Sequence, residues 1–331
     1  MSYPDQAAVK TPPLISLVLP VYNEEAGIAQ FHDQILAPAL MLCPDESFEI
    51  IYVDDGSRDQ SQAILAGIAS RDPRVQLVSL SRNFGKEIAT TAGISEARGD
   101  ALIILDSDGQ HPPTLLPKLI AAWRAGAQVV VGVRASNQGE GTVKRIGSKL
   151  FYRMLNSISD MQTVPRSTDF RLLDSAVRTE FLRFGEHNRI TRGLIDWLGF
   201  EREYIEFDSP ARLAGDATYT ASKLFRLALN SFTMMSLRPL FIFGYVGIAI
   251  TIIALLIGIG IGVEQFVLGD PLGLNFSGSA LLSIFVAFLV GLVLTAQGIM
   301  AVYLSHVHVQ AQNRPLFVVN QARSRLHRSS E

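Results

Sequence analysis

The chain of 331 residues reads as an α/β protein: a mostly parallel sheet with helices on both faces, followed by an interfacial helix and two transmembrane helices. Three observations predict this. Short apolar, β-rich runs alternate with helical stretches from residue 14 to about residue 207, the βαβα rhythm of a parallel sheet. Polar clusters fall directly after those runs. Two long apolar runs lie near the C-terminal end.

Strands are expected at residues 14–19, 48–53, 75–80, 101–105 and 128–133. Each is a short, mostly apolar run, as strands buried on both faces require. Helices are expected between them, near residues 24–42, 60–71, 86–97 and 114–125. Right-handed crossovers then align the strand carboxyl ends along one edge. Four polar segments gather there: Pro20-Val21-Tyr22-Asn23-Glu24, Asp54-Asp55-Gly56-Ser57, Ser81-Arg82-Asn83-Phe84-Gly85-Lys86 and Asp106-Ser107-Asp108-Gly109-Gln110-His111. Ligands of α/β sheets bind at that edge, so the four clusters point to one site.

Composition narrows the chemistry. A net charge of −2 predicts no nucleic-acid partner. The single cysteine, Cys43, excludes an intrachain disulfide and supports no metal site. The N-terminal segment carries Asp5 and Lys10 without an apolar core, so no secretory signal is expected. No Gly-x-Gly-x-x-Gly follows the first strand and no Gly-x-x-x-x-Gly-Lys occurs, which disfavours a dinucleotide fold of the usual type and a P-loop NTPase.

Residues 239–263 form a run of 25 without a charge, and a second apolar run extends from about residue 279 to residue 304. As helices each reaches roughly 37 Å, enough to cross a hydrocarbon core of about 30 Å. Lys223, Arg226 and Arg238 precede the first run, and Arg314, Arg323, Arg325 and Arg328 follow the second. The connecting loop contains Glu264 and Asp270 but no lysine or arginine. The positive-inside rule therefore puts both termini in the cytoplasm. Residues 221–237 interleave basic and polar residues with Leu224, Phe225, Leu227, Leu229, Phe232, Met234 and Met235, the pattern of a helix in the headgroup layer. The expected organisation is a cytoplasmic domain over residues 1–213, a lid segment and amphipathic helix over 214–238, two spans over 239–305 and a cytoplasmic tail over 306–331. Gly258, Gly260 and Gly262 in the first span suit helix–helix contacts and a homo-oligomer.

Asp106 and Asp108 end the fourth apolar run one residue apart. Two hard oxygen ligands suit Mg²⁺ or Mn²⁺, and such an ion bridges carboxylates to phosphate oxygens. Taken alone, the pair is equally compatible with a capped, solvated turn.

Together the segments Val21-Tyr22-Asn23-Glu24-Glu25, Asp54-Asp55-Gly56-Ser57, Ser81-Arg82-Asn83-Phe84-Gly85-Lys86-Glu87, Asp106-Ser107-Asp108-Gly109-Gln110-His111-Pro112 and Asp169-Phe170-Arg171-Leu172 closely resemble the inverting family-2 glycosyltransferases with a GT-A (Rossmann-like) fold. Within that family the resemblance is to the polyprenyl-phosphate sugar transferases, which include dolichol-phosphate mannosyltransferases and bactoprenol glucosyltransferases. It implies transfer of a hexose from a nucleotide sugar, with UDP-glucose favoured over GDP-mannose, to a polyprenyl phosphate at the cytoplasmic face of a bacterial inner membrane. It implies donor contacts from Pro20, Tyr22, Glu24, Asp55, Lys86, Asp106 and Gln110, and a metal held by Asp106 and Asp108. Asp108, Asp169, Arg134 and Arg145 would be catalytic. The acceptor phosphate would meet Arg134, Lys144, Arg145, Arg171 and Arg212, since arginine forks suit phosphate. The chain departs from the family at Arg212-Leu213-Ala214-Gly215-Asp216-Ala217-Thr218-Tyr219, where Ala217 and Thr218 replace a serine and a lysine. Two rivals remain at this point: a processive synthase, disfavoured by the missing Gln-x-x-Arg-Trp, and a non-catalytic membrane scaffold.

Overall fold

The computed structural model describes residues 12–135, 167–187, 189–208 and 278–326, with scattered positions between 249 and 263. These fall into two compact units: one holds the sheet, its helices and the segment from Arg314 onward, and the other holds the long C-terminal helix.

The sheet has seven strands: β1 (Leu14–Val21), β2 (Ser47–Asp54), β3 (Val75–Ser79), β4 (Ala101–Ile104), β5 (Val129–Arg134), β6 (Ser167–Asp174) and β7 (Arg202–Phe207), in the order β3-β2-β1-β4-β6-β5-β7. All pairings are parallel except those of β6 with β4 and β5. The five expected strands form within a residue or two of their expected bounds. Neither β6 nor β7 is among them, because both carry charged residues through the run: Asp169 and Arg171 in β6, Arg202, Glu203 and Glu206 in β7.

The helices are α1 (Ser61–Arg71), α2 (Lys86–Glu96), α3 (Leu116–Arg124), α4 (Ser175–Phe181) and α5 (Thr191–Trp197). The expected long helix over residues 24–42 is broken into Ile28–Gln30 and Ala37–Leu40 around a π-helical turn, Phe31–Leu36. Because side chains alternate across a strand, the sheet separates two cores. Ile15, Leu17 and Leu19 of β1 pack with Leu65 of α1 and Leu119 of α3; Val18, Ile51 and Val53 pack on the other face with Ala89 and Ala92 of α2, Val177 of α4 and Ile195 of α5. Each fully buried leucine or valine contributes about 1.5–3 kcal/mol, so the sheet is a rigid platform.

Helix α6 (Gly278–Ala311) begins where the second apolar run begins and continues past its expected end. Its stretch Phe288–Ala311, 24 residues of mean hydropathy 1.9, is long and apolar enough to cross a membrane. Ala249, Ile252, Ile253, Leu256, Ile259 and Val263 of the first run are helical and exposed, while the rest of that run, the lid segment and the amphipathic helix lie outside the described residues.

The segment after α6 falls within the expected tail over residues 306–331. It joins the sheet unit. Leu77 bridges Arg325 and Leu80 bridges Val319 in antiparallel fashion, the Ser79 amide donates to Ser324 Oγ at 3.0 Å, and Phe317, Val319 and Leu326 pack against the second core. The otherwise open edge of β3 is thereby covered.

Candidate active site

Six parallel strands deliver their carboxyl ends to one edge. Strand β6 runs the other way, and Ile104 pairs with Arg171, so it is the start of β6, bearing Asp169, that reaches this edge beside Asp106.

The loops after β1 and β2 are laced together. The Asn23 amide donates to Ser57 Oγ (3.0 Å), the Arg58 amide to Asn23 Oδ1 (2.9 Å) and the Glu24 amide to Ser61 Oγ (2.8 Å). Asn23 adopts φ +54°, a left-handed conformation that asparagine tolerates, and it leaves Tyr22 40% exposed at the mouth of the site. Gly56, at φ +66°, lies against the Arg82–Asn83 backbone, and a Cβ there would come within 2.4 Å of the Arg82 carbonyl carbon.

Asp55 is buried, and its two oxygens accept from the Phe84 amide (2.7 Å) and the Gly85 amide (2.9 Å). Burial pushes its carboxyl up, opposed by those two bonds. Asp55 thus holds the Phe84–Gly85 corner in place. That corner launches α2, whose first residue is Lys86.

Lys86 is the centre of the site. Its Nζ lies 2.7 Å from Asp106 and 3.0 Å from Asp169. Partial burial works against its charge, but the two carboxylates outweigh this and raise its pKa above the ordinary lysine value. Burial likewise works against the Asp169 carboxylate, and Lys86, then Arg192 and Arg171, outweigh it, so Asp169 stays ionised below the usual carboxylate range.

The loop after β4 is held from below. The Asp106 amide donates to His111 Nδ1 at 3.1 Å. His111 is buried, its ring stacked on Phe170 at 5.2 Å. Burial lowers its pKa despite Asp106, in keeping with a neutral ring that accepts at Nδ1. Asp108 Oδ1 accepts from the Gln110 amide (3.0 Å), and Gln110 Oε1 accepts from Arg134 Nη2 (3.0 Å). Ser107 Oγ reaches the Pro20 carbonyl at 3.5 Å. Lys86, Asp106, Asp108, Gln110, Arg134 and Asp169 therefore come together, with Pro20 at the end of β1 and Tyr22 and Glu24 on the loop that follows it. Lys144, Arg145 and Arg212 lie outside the described residues.

Arg171 requires a correction. Its side chain is 1% exposed; Nε donates to the Thr168 carbonyl, and Nη1 to the Arg192 carbonyl and to Asp196 at 2.7 Å. A buried guanidinium spent on such partners fastens α5 to β6 and does not present itself to a lipid headgroup. Sequence reasoning missed Arg192 for the complementary reason: it lies beyond the quoted motifs, and only the folding of α5 against β6 sets it near Asp169.

Asp106 and Asp108 fit a divalent cation. They supply two hard oxygen ligands on one short loop, and a cation there would share Asp106 with the Lys86 ammonium. Among the described residues no cluster of three or more His, Cys, Asp or Glu surrounds them, so remaining ligands would come from solvent or from phosphate oxygens, as is usual for Mg²⁺.

The family model for glycosyl transferase family 2 matches residues 16–181. A relative from Bacillus subtilis (strain 168), "Uncharacterized glycosyltransferase YkcC", is 35% identical over 309 residues, covering 93% of each chain. The "SfII prophage-derived bactoprenol glucosyl transferase" of Shigella flexneri is 33% identical over 308 residues, covering 93% of this chain and 98% of that one. A homologue from Escherichia coli (strain K12), "Prophage bactoprenol glucosyl transferase homolog", is 31% identical over 309 residues, covering 93% and 99%.

Proposed function

This chain belongs to glycosyl transferase family 2, a glycosyltransferase with a GT-A mixed sheet, and from that premise we propose that it transfers a hexose, with glucose from UDP-glucose favoured, to a polyprenyl phosphate at the cytoplasmic membrane face. The observation that carries the proposal is the convergence of Asp106 and Asp169 on Lys86 at one sheet edge, with Asp108 two residues after Asp106 on the same loop. Full-length similarity to bactoprenol glucosyl transferases supports the acceptor, and the apolar helix α6 supports a membrane setting.

In this reading Asp106 and Asp108 hold Mg²⁺ or Mn²⁺ against the donor diphosphate. A bound divalent cation supplies Lewis-acid stabilisation to a leaving diphosphate. Lys86 adds a second positive charge at the same place, and such preorganised charge is worth most in a partly desolvated site. Tyr22, Glu24 and Pro20 line the nucleoside end. Arg134, steadied by Gln110, faces the anionic groups. The acceptor is a phosphate monoester, largely dianionic at neutral pH because its second pKa is about 6. It needs little help from a base, so Asp169 acts chiefly by fixing Lys86 and orienting the acceptor. Displacement by an external nucleophile inverts the anomeric centre.

The proposal further takes both membrane spans to be real, with N- and C-termini cytoplasmic. The test is an assay of the full-length protein with labelled UDP-glucose, UDP-N-acetylglucosamine and GDP-mannose against undecaprenyl phosphate, with and without EDTA. A lipid-linked glucose that disappears on chelation is the expected result; no lipid-linked sugar from any donor would overturn the reading.

A further inference from the structure

A narrow crevice with a cavity volume of about 10 Å³ lies beside Asp169, lined by Lys86, Asp169, Arg171, Thr191 and Arg192 among others. Two features of it are unexplained by folding alone. Thr191 is 5% exposed, and among the described residues its buried Oγ1 has no hydrogen-bond partner. Orphan buried hydroxyls are uncommon and costly. The Arg192 guanidinium, only partly buried, makes no hydrogen bond among the described residues, although its charge acts on Asp169.

The backbone carrying these two groups is anchored from both sides. The Thr191 amide donates to Glu87 Oε2 of α2 at 2.8 Å, and the Arg192 carbonyl accepts from the buried Arg171 of β6 at 3.3 Å. Such fastening preorganises a site. What it presents is a guanidinium on an anchored backbone and a spare hydroxyl donor, next to the Lys86 ammonium and a carboxylate that would otherwise repel an incoming anion.

We propose that Arg192 and Thr191 Oγ1, held against Asp169 by Glu87 and Arg171, form the seat for the phosphate monoester of the acceptor. The assignment rests on the acceptor being a lipid phosphate, as argued above. A guanidinium offers paired donors to phosphate oxygens, and the hydroxyl completes its bonding only when that oxygen arrives. The donor diphosphate remains with Asp106, Asp108 and Lys86.

The test is isothermal titration calorimetry on the full-length protein in detergent, with farnesyl phosphate, farnesol and UDP as separate probes, on wild type, Arg192→Gln and Thr191→Val. Both variants should bind farnesyl phosphate tenfold or more weakly and UDP as wild type does, with farnesol insensitive to either change. Thr191→Val should also hold or raise Tm, since it removes an unpaired buried hydroxyl. Affinity for farnesyl phosphate within twofold of wild type in either variant, or a parallel loss of UDP affinity, would overturn the seat. Binding that follows the expected pattern in a protein that transfers no sugar would leave the seat standing and sink the proposed reaction instead.

Discussion

The Lys86 ammonium lies 3.0 Å from the Asp169 carboxylate, tying the first residue of α2 to the one antiparallel strand inside the sheet. Its third-dimension partner is Asp106, at 2.7 Å, so a single cation keeps two carboxylates close that would otherwise repel. Lys86→Met should lower kcat by about 10²-fold or more, the scale of losing one preorganised charge at a developing anion. Steady-state kinetics checks this. Lys86→Arg, which keeps the charge but changes its shape, should recover part of the loss.

Metal dependence gives a second outcome. Asp108→Asn should weaken Mn²⁺ binding, read by electron paramagnetic resonance, and abolish transfer at ordinary Mg²⁺ concentrations. Unchanged Mn²⁺ affinity would remove Asp108 from the metal site.

The Lys86–Asp169 pair has a defined pH range. For the raised lysine, stability from pairing is complete below its ordinary pKa of about 10.4 and is lost as pH rises through the raised value. For the lowered aspartate, it is complete above about 3.9 and is lost as pH falls through the lowered value. The bridge therefore persists from about pH 4 to about pH 10, and an acid limb of transfer near pH 6 belongs to the second ionisation of the acceptor phosphate. A rate–pH profile of Asp169→Asn should keep that limb at the wild-type position; deepening at low pH would instead give Asp169 a proton-transfer role.

Asp55 predicts a stability effect. Asp55→Ala leaves the Phe84 and Gly85 amides without their acceptor and should cost about 1–3 kcal/mol, measured by denaturant unfolding. Because the same corner launches α2, KM for the nucleotide sugar should rise with it.

The C-terminal segment offers a fifth test. Val319 packs, partly buried, against the second core, so Val319→Asp partly desolvates a charge and should destabilise the sheet unit by about 1–3 kcal/mol, lowering Tm while leaving α6 intact by circular dichroism.

Much of this was legible in the sequence. The apolar runs that became β1 to β5 are nearly uninterrupted, and period and burial agree. Asp106 and Asp108 were legible because they follow β4 closely, where chain direction alone brings them to one edge, and Lys86 because it opens the helix after β3. Strand β6 was not, since it runs against its neighbours and buries an arginine whose compensation, Asp196, comes from a helix 25 residues later. The same long-range pairing hid the partners of Arg171 and of Asp55: a charged residue's type marks its chemistry, but the fold decides which neighbours it meets. The tail after α6 reads as polar and solvated, and its pairing with β3 spans more than two hundred residues of chain.

That pairing has a consequence for biosynthesis. The residues that cover β3 follow a membrane-length helix in the chain, so they reach the sheet only after that helix has been made. Until those residues emerge, β3 offers bare amides and carbonyls to any passing strand. A protein cut before the helix for the sake of solubility would keep that exposed flank, and should clump for want of its own ending.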